Sequence, residues 1–314
     1  WAGETYILVY NGELYNTGEL RTELQALGHA FTSHSDTEVL LNAYARWGAA
    51  CVDRFNGIFA FGVYEEKSGR LFLARDRIGV KPLFYARAGE TFLFSSELKT
   101  LLTYPGMEAR LAPGGVCEVM LLGPGRTPGC GVFEGVSEVR PGWRGTYQDG
   151  ELKLEPYWKL TDHAHGDDLM TTIRTVRELV TDAIRRQMVS DVPVGCFLSG
   201  GLDSSILSAV AAEHLRERGE ALQTFSVTYK DNDRYFRATR FQPNSDDEYI
   251  GLMTQALGSR HHTIELDTEE LADALYDAVD ARDLPGMADV DSSLLLFCRA
   301  VRRDITVALS GECA

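Results

Sequence analysis

The chain has 314 residues, 44 % of them hydrophobic, which is more than one compact core usually holds, so two domains are expected. Its 46 acidic residues against 31 basic ones give a formal net charge of −15, which argues against binding nucleic acid through its phosphate backbone. No apolar run reaches the roughly 18 residues of a membrane span, and the opening "WAGETYILVYNGELYN" lacks a basic segment leading an apolar core, so a soluble, cytoplasmic protein with no membrane partner is expected.

From residue 1 to about 155 the sequence reads as short β-rich runs broken by turns, with helical segments set among them, which predicts a layered α+β domain. In "TYILVYNGELYN" the Asn11-Gly12 pair is the chemistry of a hairpin turn. Helices are expected near 17–27 and 36–47. The second opens at "SDTE", where Ser35 or Asp36 serves as N-cap, and "DTEVLLNAYARW" sets Val39, Leu40, Ala43, Tyr44 and Trp47 on one stripe. Hairpins follow in "GIFAFGVYEEKSGRLFLARD", "PLFYARAGETFLFSS" and "GTYQDGELKLEPYW". The stretch 121–146 is dense in Gly and Pro without a period and reads as a surface loop. A boundary near 155 divides the chain into domains 1–155 and 156–314.

The second half changes rhythm. "DDLMTTIRTVRELVTDAIRRQMVSD" is an amphipathic helix with Leu169, Ile173, Val176, Val180, Ile184 and Met188 at three- and four-residue steps. Strand and helix then alternate: "VGCFLS" into 203–218, "LQTFSVTY" into "DDEYIGLMTQALG", "HHTIEL" into 268–280, and 291–303 into "ITVALSG". This pattern predicts an α/β doubly wound parallel sheet with ligands outside the carboxyl ends of its strands. His261 and His262 are adjacent on a strand and point to opposite faces, so they do not share a metal ion and read as structural. The six cysteines, Cys51, Cys117, Cys130, Cys196, Cys298 and Cys313, have no CxxC spacing and read as reduced, inert thiols.

The most informative stretch is "VGCFLSGGLDSSILSAVAAEHL", residues 194–215, a buried-type strand, a loop and a helix. Gly200 and Gly201 let backbone N–H groups approach an anion, the helix N-terminus adds positive potential, and the hydroxyls of Ser199, Ser204 and Ser205 add donors. Asp203 would repel a bare phosphate, so Mg²⁺ is expected between them. No Walker lysine follows, which disfavours a phosphoryl-transfer loop.

"SGGLDSS" resembles, residue for residue, the pyrophosphate loop of the ATP pyrophosphatase superfamily. "NGELYN", "SDTE", "FNGIFAFGVYEEKSGRLFLARDRIGVKPLFY" and "FSSELKTLL" resemble the class II glutamine amidotransferase domain of glutamine-dependent asparagine synthetases, and the resemblance spans essentially the whole chain. It implies an N-terminal-nucleophile (Ntn-type) amidotransferase domain followed by a synthetase domain, with glutamine, aspartate and Mg·ATP as substrates and homodimerisation left open. Asn11 and Gly12 would form the oxyanion hole, and Glu13 and Asp36 would hold the amino-acid head of glutamine. Arg75, Asp76, Arg77 and Lys81 read as an internal ion network at a tight turn. Leu198 and Val227 fall where the family contacts the nucleoside, and Ser310 and Gly311 at a further strand end facing ATP. Glu312 matches a carboxylate that acts in aspartate activation and ammonia attack. The family's nucleophile, an N-terminal cysteine, would lie ahead of Trp1, and the second magnesium-binding aspartate just past Ala314, so the chain reads as a fragment. Two alternatives stay open: a paralogous amidotransferase or β-lactam- or peptide-cyclising synthetase acting on another carboxylate, and a nonenzymatic nucleotide-binding homologue.

Overall fold

A computed structural model describes residues 3–235, 237 and 246–311. The chain divides into two compact units, Trp1–Ala164 with Asp283–Pro285, and His165–Arg282 with Gly286–Ala314. Among the described residues no helix is long and apolar enough to cross a membrane.

The first unit runs β1 (Tyr6–Leu14), α1 (Thr17–Ala26), α2 (Asp36–Trp47), β2 (Gly57–Glu65), β3 (Arg70–Arg75), β4 (Phe84–Ala88), β5 (Thr91–Ser95), α3 (Leu98–Leu102), α4 (Pro113–Cys117), β6 (Val136–Glu138), β7 (Trp143–Gln148) and β8 (Glu151–Pro156). Two antiparallel sheets result, ordered β1-β2-β3-β7-β8 and β5-β4-β6. Strand β2 explains the layering, because its apolar run "GIFAFGV" is buried on both faces. Phe59, Phe61 and Val63 pack with Leu20, Leu24, Leu40 and Tyr44 of α1 and α2. On the other face Ala60 joins Leu73, Leu83 and Val139, flanked by Phe92 and Phe94 of β5. The outer side of the second sheet is covered by Leu98 and Leu101 of α3, with Leu284 in the same cluster. Helices, sheet, sheet and short helices thus stack in order, each burying one apolar face of its neighbour.

Two expectations are corrected. The Asn11-Gly12 pair makes no hairpin: β1 is one nine-residue strand, paired with β2 from Tyr6↔Glu65 to Leu14↔Gly57. Nine consecutive cross-strand pairings, with Leu14 buried at the end, outweigh a two-residue turn preference. The 121–146 stretch is also more than a surface loop. Val132, Val136 and Val139 are buried, and β6 forms the edge of the second sheet beside β4. Of the four tight-turn residues, Arg75 and Asp76 are buried and Arg77 and Lys81 only partly so. Arg75 pairs with Glu138 at 2.9 Å and donates to three carbonyls, and Asp76 accepts from the N–H groups of Phe59, Val80 and Lys81.

Helix α2 is capped by Ser35, whose hydroxyl accepts from Thr37 N–H at 3.1 Å. In its first turn Glu38 accepts from the hydroxyls and N–H groups of Ser33 and Thr32 at 2.7–3.0 Å. The Ser33 hydroxyl above all, with the Thr32 N–H next, draws this carboxyl down from 4.5 to about 2. A depressed folded value stabilises above the unfolded value and is lost as pH falls through the folded one. Acid unfolding should therefore steepen between about pH 4.5 and 2, and Glu38→Gln should flatten the dependence of the melting temperature on pH in that window. An unchanged slope in the variant would remove this role.

The second unit runs α5 (Leu169–Gln187), β9 (Val194–Phe197), α6 (Leu202–Arg216), β10 (Gln223–Tyr229), α7 (Asn232–Tyr235), α8 (Asp247–Leu257), β11 (Arg260–Leu266), α9 (Thr268–Asp273), α10 (Leu275–Arg282), α11 (Ala288–Val301) and β12 (Val307–Leu309). The strands form one parallel sheet, ordered β11-β10-β9-β12. Cys196 and Leu309 pack on one face with Ala211, Ala212 and Leu215 of α6. Phe225 packs on the other with Phe297 and Val301 of α11. The helix expected over 268–280 is two short ones, α9 closing at Ala274. The stripe of α5 behaves differently from its pattern: Ile184 and Met188 are buried, but Leu169, Ile173, Val176 and Val180 are exposed. Met188 joins the α6 core cluster and Arg185 reaches Glu213 at 3.1 Å, so it is the carboxyl end of α5 that docks.

Candidate functional site

In the second unit the carboxyl ends of β9 and β10 open onto a cavity of ≈ 510 Å³. Leu198 leaves β9 with its N–H bonded to Phe225 O at 2.8 Å, and the chain then turns through 199–201 into α6. Ser204, at 6 % exposure, closes that turn: its hydroxyl bonds Ser199 N at 3.2 Å, Ser199 Oγ at 3.1 Å and Gly201 O at 3.1 Å. Gly200 has φ 78°, and a Cβ there would stand 3.0 Å from both Asp246 O and Tyr249 Cβ. Both its handedness and its crowding make a side chain there costly. The N-cap of α6 is Gly201, which has no side chain to cap the helix, so a ligand anion can serve its first-turn N–H groups.

Leu198, Ser199, Gly201, Asp203, Ser204, Val227, Ser310 and Gly311 all line this cavity, whereas Gly200 and Ser205 do not. Gly200 shapes the loop from behind, and Ser205 is already helical, its N–H bonded to Gly201 O. Glu312 and Cys313 lie outside the described residues. Asp203 is exposed in the first turn of α6. The described wall carries Asp203, Asp246 and Asp247 but no Lys or Arg. No group of three or more His, Cys, Asp or Glu that could hold a metal ion occurs among the described residues. Asp203, in the first turn of α6 beside the loop, suits a cation brought in on phosphate oxygens.

The acidic pair Asp246 and Asp247, and the hydroxyl-bearing Ser226, Thr228 and Ser293, also line the cavity and escape a motif-based reading. The available signal is the polar alternation Thr224, Ser226, Thr228 within β10, whose first two members are buried. His261 and His262 do face opposite sides. The first bonds Thr224 and Ser226, and the second stacks on Phe225 at 4.8 Å between ring centroids.

In the first unit, Asn11 and Glu13 project from one exposed face of β1. The Asn11 amide donates to Ser96 Oγ at 3.1 Å. Asp36 reaches the strand from α2: its Oδ2 accepts from Tyr10 O–H at 2.8 Å and Leu14 N–H at 3.2 Å, on either side of the Asn11–Glu13 triplet. Burial, and then the Asp36 charge, push the Tyr10 phenol well above its usual range, so it stays a neutral donor to Asp36. Gly12 sits where a Cβ would fall 2.3 Å from Ile58 O and 2.7 Å from Phe59 Cα.

The five described cysteines are free thiols. Cys51 is fully buried and its thiol is pushed far up, first by that burial; burial also holds Cys196 up at about 12. Neither is a thiolate nucleophile. Cys117 and Cys298 are exposed.

Comparison with known proteins completes the picture. Residues 2–158 match the family of glutamine amidotransferase domains, and residues 175–314 match asparagine synthase. Asparagine synthetase [glutamine-hydrolyzing] 3 of Bacillus subtilis (strain 168) is 52 % identical over 315 residues, covering 100 % of this chain and 51 % of that protein. Asparagine synthetase [glutamine-hydrolyzing] 1 of the same strain is 33 % identical over 311 residues, covering 98 % and 46 %. Putative asparagine synthetase [glutamine-hydrolyzing] 2 of Methanocaldococcus jannaschii is 33 % identical over 315 residues, covering 98 % and 57 %. The chain spans about half the length of these curated relatives.

Proposed function

We propose that this chain, which belongs to the glutamine-hydrolysing asparagine synthetase family, carries the glutaminase and adenylation machinery of an enzyme that makes asparagine from aspartate, glutamine and Mg·ATP in the cytoplasm. The first unit is read as an Ntn-type amidotransferase domain and the second as a doubly wound synthetase domain, with the functional boundary near residue 155.

At the front site the nucleophile is an N-terminal cysteine of the full-length protein, attacking the side-chain amide of glutamine. The Asn11 amide and the Gly12 N–H stabilise the tetrahedral oxygen, while Glu13 and Asp36 hold the α-ammonium. Ammonia leaves and water releases glutamate.

At the second site Leu198 and Val227 hold the nucleoside, with Ser310 and Gly311 closing the strand-end side. The loop from Ser199 to Ser205 takes the β- and γ-phosphates with its N–H groups and hydroxyls. An oxygen of the aspartate β-carboxylate forms a bond to the α-phosphorus as the bond to the leaving pyrophosphate breaks. Ammonia then adds to the acyl carbon, a proton is lost, and AMP departs with the carboxylate oxygen. Asp203 would hold Mg²⁺ against the phosphates, where the ion neutralises charge on the leaving pyrophosphate. Glu312 is assigned to aspartate activation and ammonia attack, as a base or by positioning.

The observation that carries this reading is a phosphate-type cradle whose described wall holds Asp203 and no basic side chain, so that a polyphosphate has to arrive with its own cation. Full-length protein given aspartate, ATP and ammonia should release AMP and pyrophosphate in equal amounts. Absence of aspartate-dependent release would sink the assignment. For the front site, Asp36→Ala should raise the KM for glutamine about tenfold or more, as loss of a charge-assisted contact does. Ammonia-dependent synthesis should be intact, and equal loss of both would place Asp36 in the fold instead.

A further inference from the structure

We propose that His261 is a positioning residue for the nucleotide, fixing the Ser226 hydroxyl on the cavity wall as a group that hydrogen-bonds the nucleoside. This rests on the nucleotide reading of that cavity and extends it to a side chain that does not line it.

Strand β10 buries hydroxyls where an inner strand usually buries apolar side chains. It is an inner strand between β11 and β9, yet it carries Thr224 at 0 % exposure and Ser226 at 7 %. A hydroxyl buried without a partner is costly, so each needs one. Both find it on the neighbouring strand. His261 stands opposite Thr224 in the parallel register, and Ser226, two residues on, is on the same face. Its Nδ1 lies 3.0 Å from Thr224 Oγ1 and its Nε2 lies 3.0 Å from Ser226 Oγ. Thr224 Oγ1 in turn lies 3.1 Å from Ser259 Oγ. The result is a side-chain relay, Ser259 to Thr224 to His261 to Ser226, that ends on the cavity wall.

The ring is neutral near pH 7, because burial and then the adjacent His262 hold its pKa below 6.5. A neutral imidazole donates from one nitrogen and accepts at the other. With the proton on Nε2, Ser226 accepts from the ring and its O–H is free to donate into the cavity. With the proton on Nδ1, Ser226 donates to Nε2 and offers lone pairs instead. The relay therefore presents either a donor or an acceptor without stranding any of its members. Pyrophosphate only accepts, and the loop and helix N-terminus already provide its donors. A base edge or a ribose hydroxyl presents both kinds of group, and Ser226 is chain neighbour to Val227, assigned to the nucleoside.

The test uses full-length protein, with ATP binding by calorimetry and steady-state kinetics. Ser226→Ala and His261→Phe should each raise the Kd and KM for ATP roughly 3- to 10-fold, the worth of one hydrogen bond. The kcat should stay within about twofold, and the KM for aspartate should not move. Because His261 acts through Ser226, the double variant should bind ATP no more weakly than Ser226→Ala alone. His261→Gln, which keeps a donor and an acceptor, should recover part of the loss. Unchanged ATP affinity in both single variants, additive losses in the double variant, or a lowered melting temperature without a change in KM would each overturn the proposal. If wild-type protein itself binds no ATP, the nucleotide reading fails and takes this one with it, whereas wild-type binding with indifferent variants refutes the relay alone.

Discussion

Asp203→Ala should lower pyrophosphate release by about 100-fold or more with either glutamine or ammonia as nitrogen source, the loss of roughly 2.7 kcal/mol or more of transition-state stabilisation. The size follows from the composition of the cavity. Asp203 stands in the first turn of α6 on the cavity wall, and no Lys or Arg on the described wall could take over charge neutralisation. Its side chain is exposed, so the melting temperature should stay close to that of the wild type. Coupled assays for pyrophosphate over a range of Mg²⁺ concentrations decide the point. Release within a few-fold of wild type at saturating Mg²⁺ would remove the cation-holding role.

Gly12→Ala should separate the two half-reactions. An added methyl group meets the backbone of β2 at Ile58 O and Phe59 Cα, and backbone cannot swing aside as a flexible side chain can. Strand β1 has to shift at its pairing with β2, moving the Gly12 N–H and the Asn11 amide together away from the proposed oxyanion position. Loss of one such donor costs on the order of 10²–10³ in turnover, and here two are displaced. Glutamine-dependent synthesis should fall by at least 100-fold, while ammonia-dependent synthesis stays within about twofold. Equal loss with both nitrogen sources would show that Gly12 is needed for the fold of β1 and not for the oxyanion.

What the sequence reveals depends on how far apart the interacting residues lie. The hairpins β2–β3, β4–β5 and β7–β8 are legible because each is closed by its own turn residues. The loop at 199–205 is legible for the same reason, with strand, glycines and helix contiguous. The Asn11-Gly12 pair misleads because its deciding partner, β2, lies across two helices in the chain. The stripe on α5 misleads differently: periodicity marks the apolar side of a helix but not how much of that side finds a partner, and here the carboxyl end does. The candidate sites divide along the same line. Asn11, Gly12 and Asp203 announce themselves by local motif. Ser226 and His261 are 35 residues apart and meet only because a crossover sets β10 beside β11.

The two adjacent glycines of the loop answer to different judges. At Gly200 the left-handed backbone and the crowding by Asp246 and Tyr249 penalise a side chain before any ligand arrives. At Gly201 the backbone is ordinary, with φ −71°, and an added Cβ would meet nothing nearer than Ser199 Oγ at 3.4 Å. Drift at the first position is stopped by folding alone, while drift at the second is stopped only by what the cavity admits. A descendant of this protein that abandoned its nucleotide would therefore keep the first glycine and be free to lose the second.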